Sequence, residues 1–308
     1  MKLVSYRWDS RIEVGILDAE SGAITPLADG DGIATNLSDV ISGDVGTRDG
    51  LRVAAGAGVR SLSDATLLAP LRDPARNVMC VGKNYHEHSA EFARSGFDAT
   101  GSGDPAAPSH PIFFTKPASC IIGPGDEIYP HVGVTEALDY EAEVAVVIGQ
   151  GGRGISAADA WDHVWGYVLL NDVTARDLQH RHKQWFLGKS LDSFCPMGPW
   201  LVTADEIDGA NIEIECRVNG ELRQRASTAD LIFDIPTLIS TLSSGMALQP
   251  GDILATGTPA GVGIGFDPPR FLSPGDKVTV LSPQLGVLEN VVADTAADVH
   301  RLTGQVRA

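Results

Sequence analysis

A chain of 308 residues with 43% hydrophobic content is long enough to bury a sizeable core, as one large domain or a large and a small one. Its 40 acidic and 23 basic side chains give a formal net charge of −17, which disfavours any non-specific hold on nucleic acid or an anionic membrane. An anionic substrate would need a locally reversed field, which a divalent cation can supply.

The opening residues, Met1-Lys-Leu-Val-Ser-Tyr-Arg-Trp-Asp9, alternate like a strand and lack the apolar centre of a secretion signal. No run approaches the roughly 18 apolar residues of a membrane span, so the expected location is cytoplasmic. Residues 1–72 read as a small N-terminal domain of short alternating runs such as Ile12-Glu-Val-Gly-Ile-Leu17. Asp73-Pro-Ala-Arg-Asn77 marks a junction, and residues 76–308 form the catalytic domain.

Within that domain Val78-Met-Cys-Val-Gly82 has the pattern of a buried strand. Residues 88–95 read as a short helix, and residues 96–111, rich in Gly, Ser, Asp and Pro, as a mobile loop. Further strands are predicted over 111–116, 140–148, 165–171, 212–218 and 277–281, and helices over 156–164 and 233–244, the latter with Pro236 near its start. Strands outnumber helices, which predicts an α+β, β-rich roll rather than alternating βαβ units. Cys80, Cys120, Cys195 and Cys216 lie far apart without a Cys-x-x-Cys pair, so they are expected to be reduced, buried thiols.

Asp139-Tyr-Glu-Ala-Glu143 places acids at i, i+2 and i+4 of a predicted strand, all on one face. Such crowding is costly without a cation, whereas a hard divalent ion satisfies two carboxylates at once. The competing reading is the charged solvent face of an edge strand. Asp172 ends the apolar run Gly166-Tyr-Val-Leu-Leu-Asn171, where a third carboxylate could complete a site. Gly149-Gln-Gly-Gly-Arg-Gly154 matches a dinucleotide-binding fingerprint and follows a strand. In such a site the helix begins within the glycines, whereas Ser156-Ala-Ala-Asp159 has the look of a later helix start. A second glycine-rich run, Gly257-Thr-Pro-Ala-Gly-Val-Gly-Ile-Gly265, is either a loop offering N–H groups to a carboxylate or a tight structural turn.

Seven segments in order carry a resemblance: Asn77-Val-Met-Cys-Val-Gly-Lys-Asn-Tyr-His-Glu-His-Ser-Ala-Glu91, Phe114-Thr-Lys-Pro117, Tyr140-Glu-Ala-Glu143, Asn171-Asp-Val-Thr-Ala-Arg-Asp-Leu-Gln179, Gly188-Lys-Ser190, Val218-Asn-Gly-Glu221 and Gly257-Thr-Pro-Ala-Gly-Val-Gly263. Together they resemble the fumarylacetoacetate hydrolase family, in its acylpyruvase and 2-hydroxyhepta-2,4-diene-1,7-dioate isomerase-like branch, over about 76 to 292. The resemblance implies a mixed β-roll, a homodimer, and a Mg²⁺ site, with Mn²⁺ or Ca²⁺ as substitutes, on Glu141, Glu143 and Asp172. It also implies a catalytic dyad of His88 and Glu91 on a lid. These two lie i, i+3 on the predicted helix, where the acid can orient the imidazole.

By the same likeness Lys189 is the active-site lysine and Gln179 a substrate contact, with Tyr85, Lys116 and Thr258 weaker candidates for substrate contact or structural support. Arg176, Arg181 and Lys183 concentrate positive charge nearby, which favours an anionic substrate, while His180 and His182 are read as surface residues. The first expectation is hydrolytic carbon–carbon cleavage of a 2,4-dioxo acid, a small anionic 2-oxo acid, through a metal-stabilised enolate. The alternative on the same site is an isomerase, tautomerase or decarboxylase. A non-catalytic Ca²⁺ module is the reading from another class.

Overall fold

The computed structural model describes residues 1–43, 50–94 and 108–294. The framework strands of its first half are β1 (Lys2–Trp8), β2 (Arg11–Asp18), β3 (Ala23–Pro26), β4 (Val78–Gly82), β5 (Ile112–Lys116) and β6 (Ala142–Ile148). The second half adds β7 (Val164–Asn171), β8 (Cys195–Thr203), β9 (Glu213–Val218), β10 (Glu221–Ser227), β11 (Ile253–Ala255), β12 (Lys277–Ser282) and β13 (Gly286–Val292). Among the described residues five α-helices accompany them: α1 (Leu37–Ser42), α2 (His86–Arg94), α3 (Arg176–Arg181), α4 (Phe186–Lys189) and α5 (Ile235–Gly245). The architecture is therefore the β-rich α+β roll expected.

One large mixed sheet runs in the order β3-β2-β1-β8-β7-β6-β11-β4-β5, with short strands extending it. Neighbours along this path are antiparallel except β11 and β4, which run parallel. β1 joins β8 through Lys2↔Val202 and Leu3↔Leu201, so the N-terminal strands continue the same sheet. A second sheet, β13-β12-β9-β10, packs beside it.

β6 and β7 are central because their sequences suit it: β-branched and aromatic residues, buried throughout. Val144, Val146 and Ile148 enter one core with Ile214, Val280, Leu288 and the Ile235 and Leu238 side of α5. Ala145 and Val147 face the other core, with Leu3, Val14, Leu37 and Ile41. Successive residues of one strand thus serve two cores, as a period of two requires.

The predicted helix over 156–164 does not form. Ser156 and Asp159 do exchange cap-like hydrogen bonds, but the following segment makes only a 3₁₀ turn, Ala160–His163, before β7 begins at Val164. The preceding glycines close against the 248–252 segment instead, with Gly152 and Leu248 exchanging backbone hydrogen bonds. A dinucleotide helix is therefore missing altogether, a stronger argument against that fingerprint than a late start. α5 begins as predicted, with Asp234 accepting from Thr237 N and Pro236 in its first turn. Most of the loop expected over 96–111 lies outside the described residues. All four cysteines are free and buried. Among the described residues, no helix is long and apolar enough to cross a membrane.

Candidate active site

The acid cluster is built by strand pairing. Ala142 pairs with Asn171, Asp172 N donates to Glu141 O at 2.8 Å, and Glu141 N donates to Asn171 Oδ1 at 3.0 Å. This pins Asp172 beside Glu141, while the two-residue period turns Glu143 to the same side. Oxygens of Glu141, Glu143 and Asp172 lie within 4.8 Å of one another. All three side chains are buried, which rules out the exposed edge-strand reading.

Asp139 does not join them, contrary to the one-face expectation. It belongs to a separate short strand, Leu138–Asp139, paired with Thr174–Ala175, and the strand is interrupted at Tyr140 and Glu141 before β6 begins. Its carboxylate instead accepts from Arg176 Nε at 2.8 Å, Gly263 N at 2.7 Å and Ile264 N at 3.1 Å.

Three buried cations answer these acids. Lys189 Nζ bridges Glu141 Oε2 at 2.9 Å and Asp172 Oδ2 at 2.7 Å, Arg176 Nη1 meets Glu141 Oε1 at 2.6 Å, and Lys116 Nζ meets Asp172 Oδ1 at 2.5 Å. Burial alone would raise the Glu141 pKa, but Lys189 and then Arg176 outweigh it and hold the carboxyl at about 2. Glu143 behaves oppositely: burial, then the charges of Asp172 and Glu141, push its pKa well up. Among the described residues no basic side chain forms an ion pair with Glu143, whose Oε2 accepts only from Gly257 N, at 2.8 Å. Four buried acids thus face three buried bases, and the acid left without a base is Glu143, where the oxygens converge. An all-carboxylate donor set with one carboxyl unpaired fits a hard divalent cation, and the cluster contains no His or Cys to favour a softer one.

The second glycine-rich run organises the rest. Gly257 N serves Glu143, Gly261 N donates to both oxygens of Glu91 at 3.1 and 3.2 Å, and Gly263 N serves Asp139. The carboxylates it receives are therefore the protein's own. Glycine is required at 261, where φ is +101° and a Cβ would lie 1.9 Å from Arg223 O. Glu91 in turn approaches His88 Nδ1 at 3.4 Å, which leaves Nε2 of the buried imidazole as its working nitrogen.

A narrow cleft is lined by His88, Glu141, Arg176, Gln179, Lys189 and Thr258, with Lys83 and an apolar wall of Val81, Phe92, Phe114 and Trp185. Two weaker sequence candidates are placed elsewhere. Lys116 is no substrate contact: its three N–H donors are spent on Asp172, Val173 O and Lys189 O. Tyr85 lines a neighbouring cavity with His86, Arg225 and Asp230. Thr258 lines the cavity, yet its hydroxyl donates to Ala142 O and accepts from Gln224 Nε2. His180 and His182 are exposed, as are Arg181 and Lys183. Sequence reasoning missed the structural work of Arg176, read only as local charge, and the contributions of Lys83, Trp185 and Gln224. Arg176 could have been suspected from its place four residues after Asp172, on the turn that enters α3.

Known proteins share this arrangement of strands. A family model described as "Fumarylacetoacetate (FAA) hydrolase C-terminal" matches residues 77–293. Oxaloacetate tautomerase YisK of Bacillus subtilis is 51% identical over 238 residues, 77% of this chain and 76% of that protein. Among solved structures, a fumarylacetoacetate hydrolase from psychrophilic Exiguobacterium antarcticum is 41% identical, with a TM-score of 0.79 over 95% of this chain and 99% of that one. A 5-carboxymethyl-2-hydroxymuconate delta-isomerase from Mycobacterium smegmatis is 31% identical, with a TM-score of 0.75 over the same shares.

Proposed function

This chain belongs to the fumarylacetoacetate hydrolase family, and from that membership we propose that it is a tautomerase interconverting the keto and enol forms of a compact 2-oxo diacid of the oxaloacetate type. The observation that carries the reading is the 51% identity, over three quarters of both chains, to a protein named oxaloacetate tautomerase. Tautomerisation, the alternative in the sequence reading, thereby takes precedence over hydrolytic cleavage of a 2,4-dioxo acid.

The residues are suited to proton transfer. Glu141, Glu143 and Asp172 would hold the cation, Mg²⁺ by their all-oxygen character, and when bound it supplies Lewis-acid polarisation of the 2-oxo group. His88 Nε2 takes a proton from C3 of the substrate and returns one to the 2-oxygen as the enol forms. Glu91 keeps the imidazole in the tautomer that makes this possible and steadies the imidazolium between the two transfers. Lys189 spends two N–H donors on Glu141 and Asp172 and has a third for the oxygen on which charge develops. Gln179 presents its amide to a substrate carboxylate from the same wall.

The test is to add Mg²⁺-loaded protein to the enol form of oxaloacetate, follow loss of the enol absorbance above the buffer rate, and identify products by NMR. Faster enol loss with four-carbon product retained is the expected result. Release of pyruvate in step with enol loss would instead assign a decarboxylase, and no acceleration would remove the substrate class.

A further inference from the structure

β11 parts early from β6. Their pairing joins Ala145, Val146 and Val147 to Ala255, Leu254 and Ile253, and ends with Thr256 N donating to Val144 O at 3.1 Å. Gly257, at φ +102°, then turns the chain towards Glu143 and Glu91. Ala142, which sits between Glu141 and Glu143, is left on that edge with no paired strand among the described residues. Its buried backbone groups still need partners, and two side chains supply them. Gln224 Oε1 accepts from Ala142 N at 3.0 Å, and Thr258 Oγ1 donates to Ala142 O at 3.0 Å. The same amide of Gln224 donates through Nε2 to Thr258 Oγ1 at 2.8 Å and to Pro259 O at 2.7 Å. These partners fix the orientation of the amide: only its oxygen can take the Ala142 N–H, and only its nitrogen can serve the Pro259 carbonyl. One side chain from β10, 1% exposed, therefore holds the acid strand by one end and the glycine-rich run by the other.

We propose that Gln224 is a positioning residue that sets the His88–Glu91 pair against the acid cluster, a role that rests on the proton-transfer reading above. The acids have other supports. β6 pairs with β7 along its length, and Lys189, Arg176 and Lys116 hold Glu141 and Asp172. Glu91 depends on the run itself, through Gly261 N two residues past Pro259. Without the amide of Gln224 the run loses its tie to Ala142 N, and Glu91 loses the fixed donor that aims it at His88 Nδ1. The cation site would persist while the imidazole lost its orientation.

The first readout is the tautomer of His88, which needs no turnover. Nitrogen-15 correlation spectra of histidine-labelled protein at alkaline pH are expected to show Nδ1 protonated in wild type and a mixture of tautomers in Gln224→Met, the signal being assigned by its loss in His88→Ala. The second is a double-mutant cycle in turnover of the enol form of oxaloacetate. Gln224→Met should lower turnover at least about tenfold in wild type, the scale of the hydrogen bonds lost, and no more than about threefold in the Glu91→Gln background. Mg²⁺ titrated by calorimetry should bind Gln224→Met and wild type within about threefold. An unchanged His88 tautomer, equal losses of turnover in the two backgrounds, or a loss of Mg²⁺ affinity of about tenfold would each overturn the proposal and leave Gln224 a support of the fold or of the acid cluster. If Gln224→Met does not fold, Gln224→Asn takes its place with the same expected results, because an amide one methylene shorter reaches one partner and not both. A protein whose His88 tautomer responds as expected, yet which leaves oxaloacetate untouched, refutes the tautomerase reading and not the positioning role.

Discussion

Lys116 Nζ lies 2.5 Å from Asp172 Oδ1, and both side chains are fully buried. The ammonium also holds the carbonyls of Val173 and Lys189, so it ties the end of β7 to the end of α4. Lys116→Met would leave Asp172 half-paired, with Lys189 alone on its other oxygen, and would take the ammonium from the carbonyls of Val173 and Lys189. The expected cost is about 3–5 kcal/mol of folding stability, measured by denaturant unfolding of the metal-free protein. A variant within 1 kcal/mol of wild type, on the order of an ordinary surface change, would show the pair to be dispensable.

His88→Ala should lower turnover by about 10²–10⁴-fold, the usual contribution of a general acid–base group. Its Mg²⁺ affinity, read by calorimetry, should stay close to that of wild type, because the imidazole is not part of the acid cluster. A large loss of metal binding would place His88 in a different role.

Gly265→Ala isolates the function of Glu91 without removing it. A Cβ at position 265 would lie 1.8 Å from Glu91 Oε1, the movable end of a flexible side chain, so Glu91 should swing away from Gly261 and His88. Turnover should fall about as far as in Glu91→Gln, with stability changed by no more than about 1 kcal/mol. Wild-type turnover in Gly265→Ala, with Glu91→Gln impaired, would contradict the orienting role.

Chelation and metal addition should move stability as well as activity. On the proposed reading the cation is held by the folded cluster alone, so Mg²⁺ supplied at about 100 times its Kd should raise stability by about 2.7 kcal/mol. Scanning calorimetry with and without chelator measures this, and Glu143→Gln should shrink the shift. An identical shift in that variant would exclude Glu143 from the site.

Alkali should destabilise the fold through buried phenols. Tyr6 donates to Glu13 Oε2 at 2.8 Å, and burial, then that hydrogen bond and the Glu13 charge, raise its pKa well above the ordinary value. The folded value exceeds the unfolded one. Its contribution is therefore fully present below about pH 10 and is lost as pH rises from there towards the folded pKa. Tyr85 and Tyr140, also raised chiefly by burial, act in the same direction. Denaturant midpoints should fall above about pH 10, less steeply in Tyr6→Phe, and midpoints that rise there would reverse the sign.

The acid cluster and the His88–Glu91 pair were legible because both rest on local periods, two residues along a strand and three along a helix. Asp139 misled for the same reason: only its pairing with Thr174, far along the chain, shows that the strand breaks before Glu141. Lys116 was equally opaque, since its partner Asp172 is 56 residues away. The segment 156–164 carried a helix-start signal that held as a capped turn and lacked the length to propagate. That the N-terminal strands extend the central sheet depends on two β1–β8 residue pairs which no local pattern announces.

The run from Gly257 to Gly263 gives successive N–H groups to Glu143, Glu91 and Asp139, and Asp139 carries Arg176. A shift of that single segment would disturb the acid cluster, the His88–Glu91 pair and the buried guanidinium together. Faults in the site are therefore correlated: a substitution that unsettles this segment should impair several steps at once, and one that compensates at a single acid should restore only part of the loss.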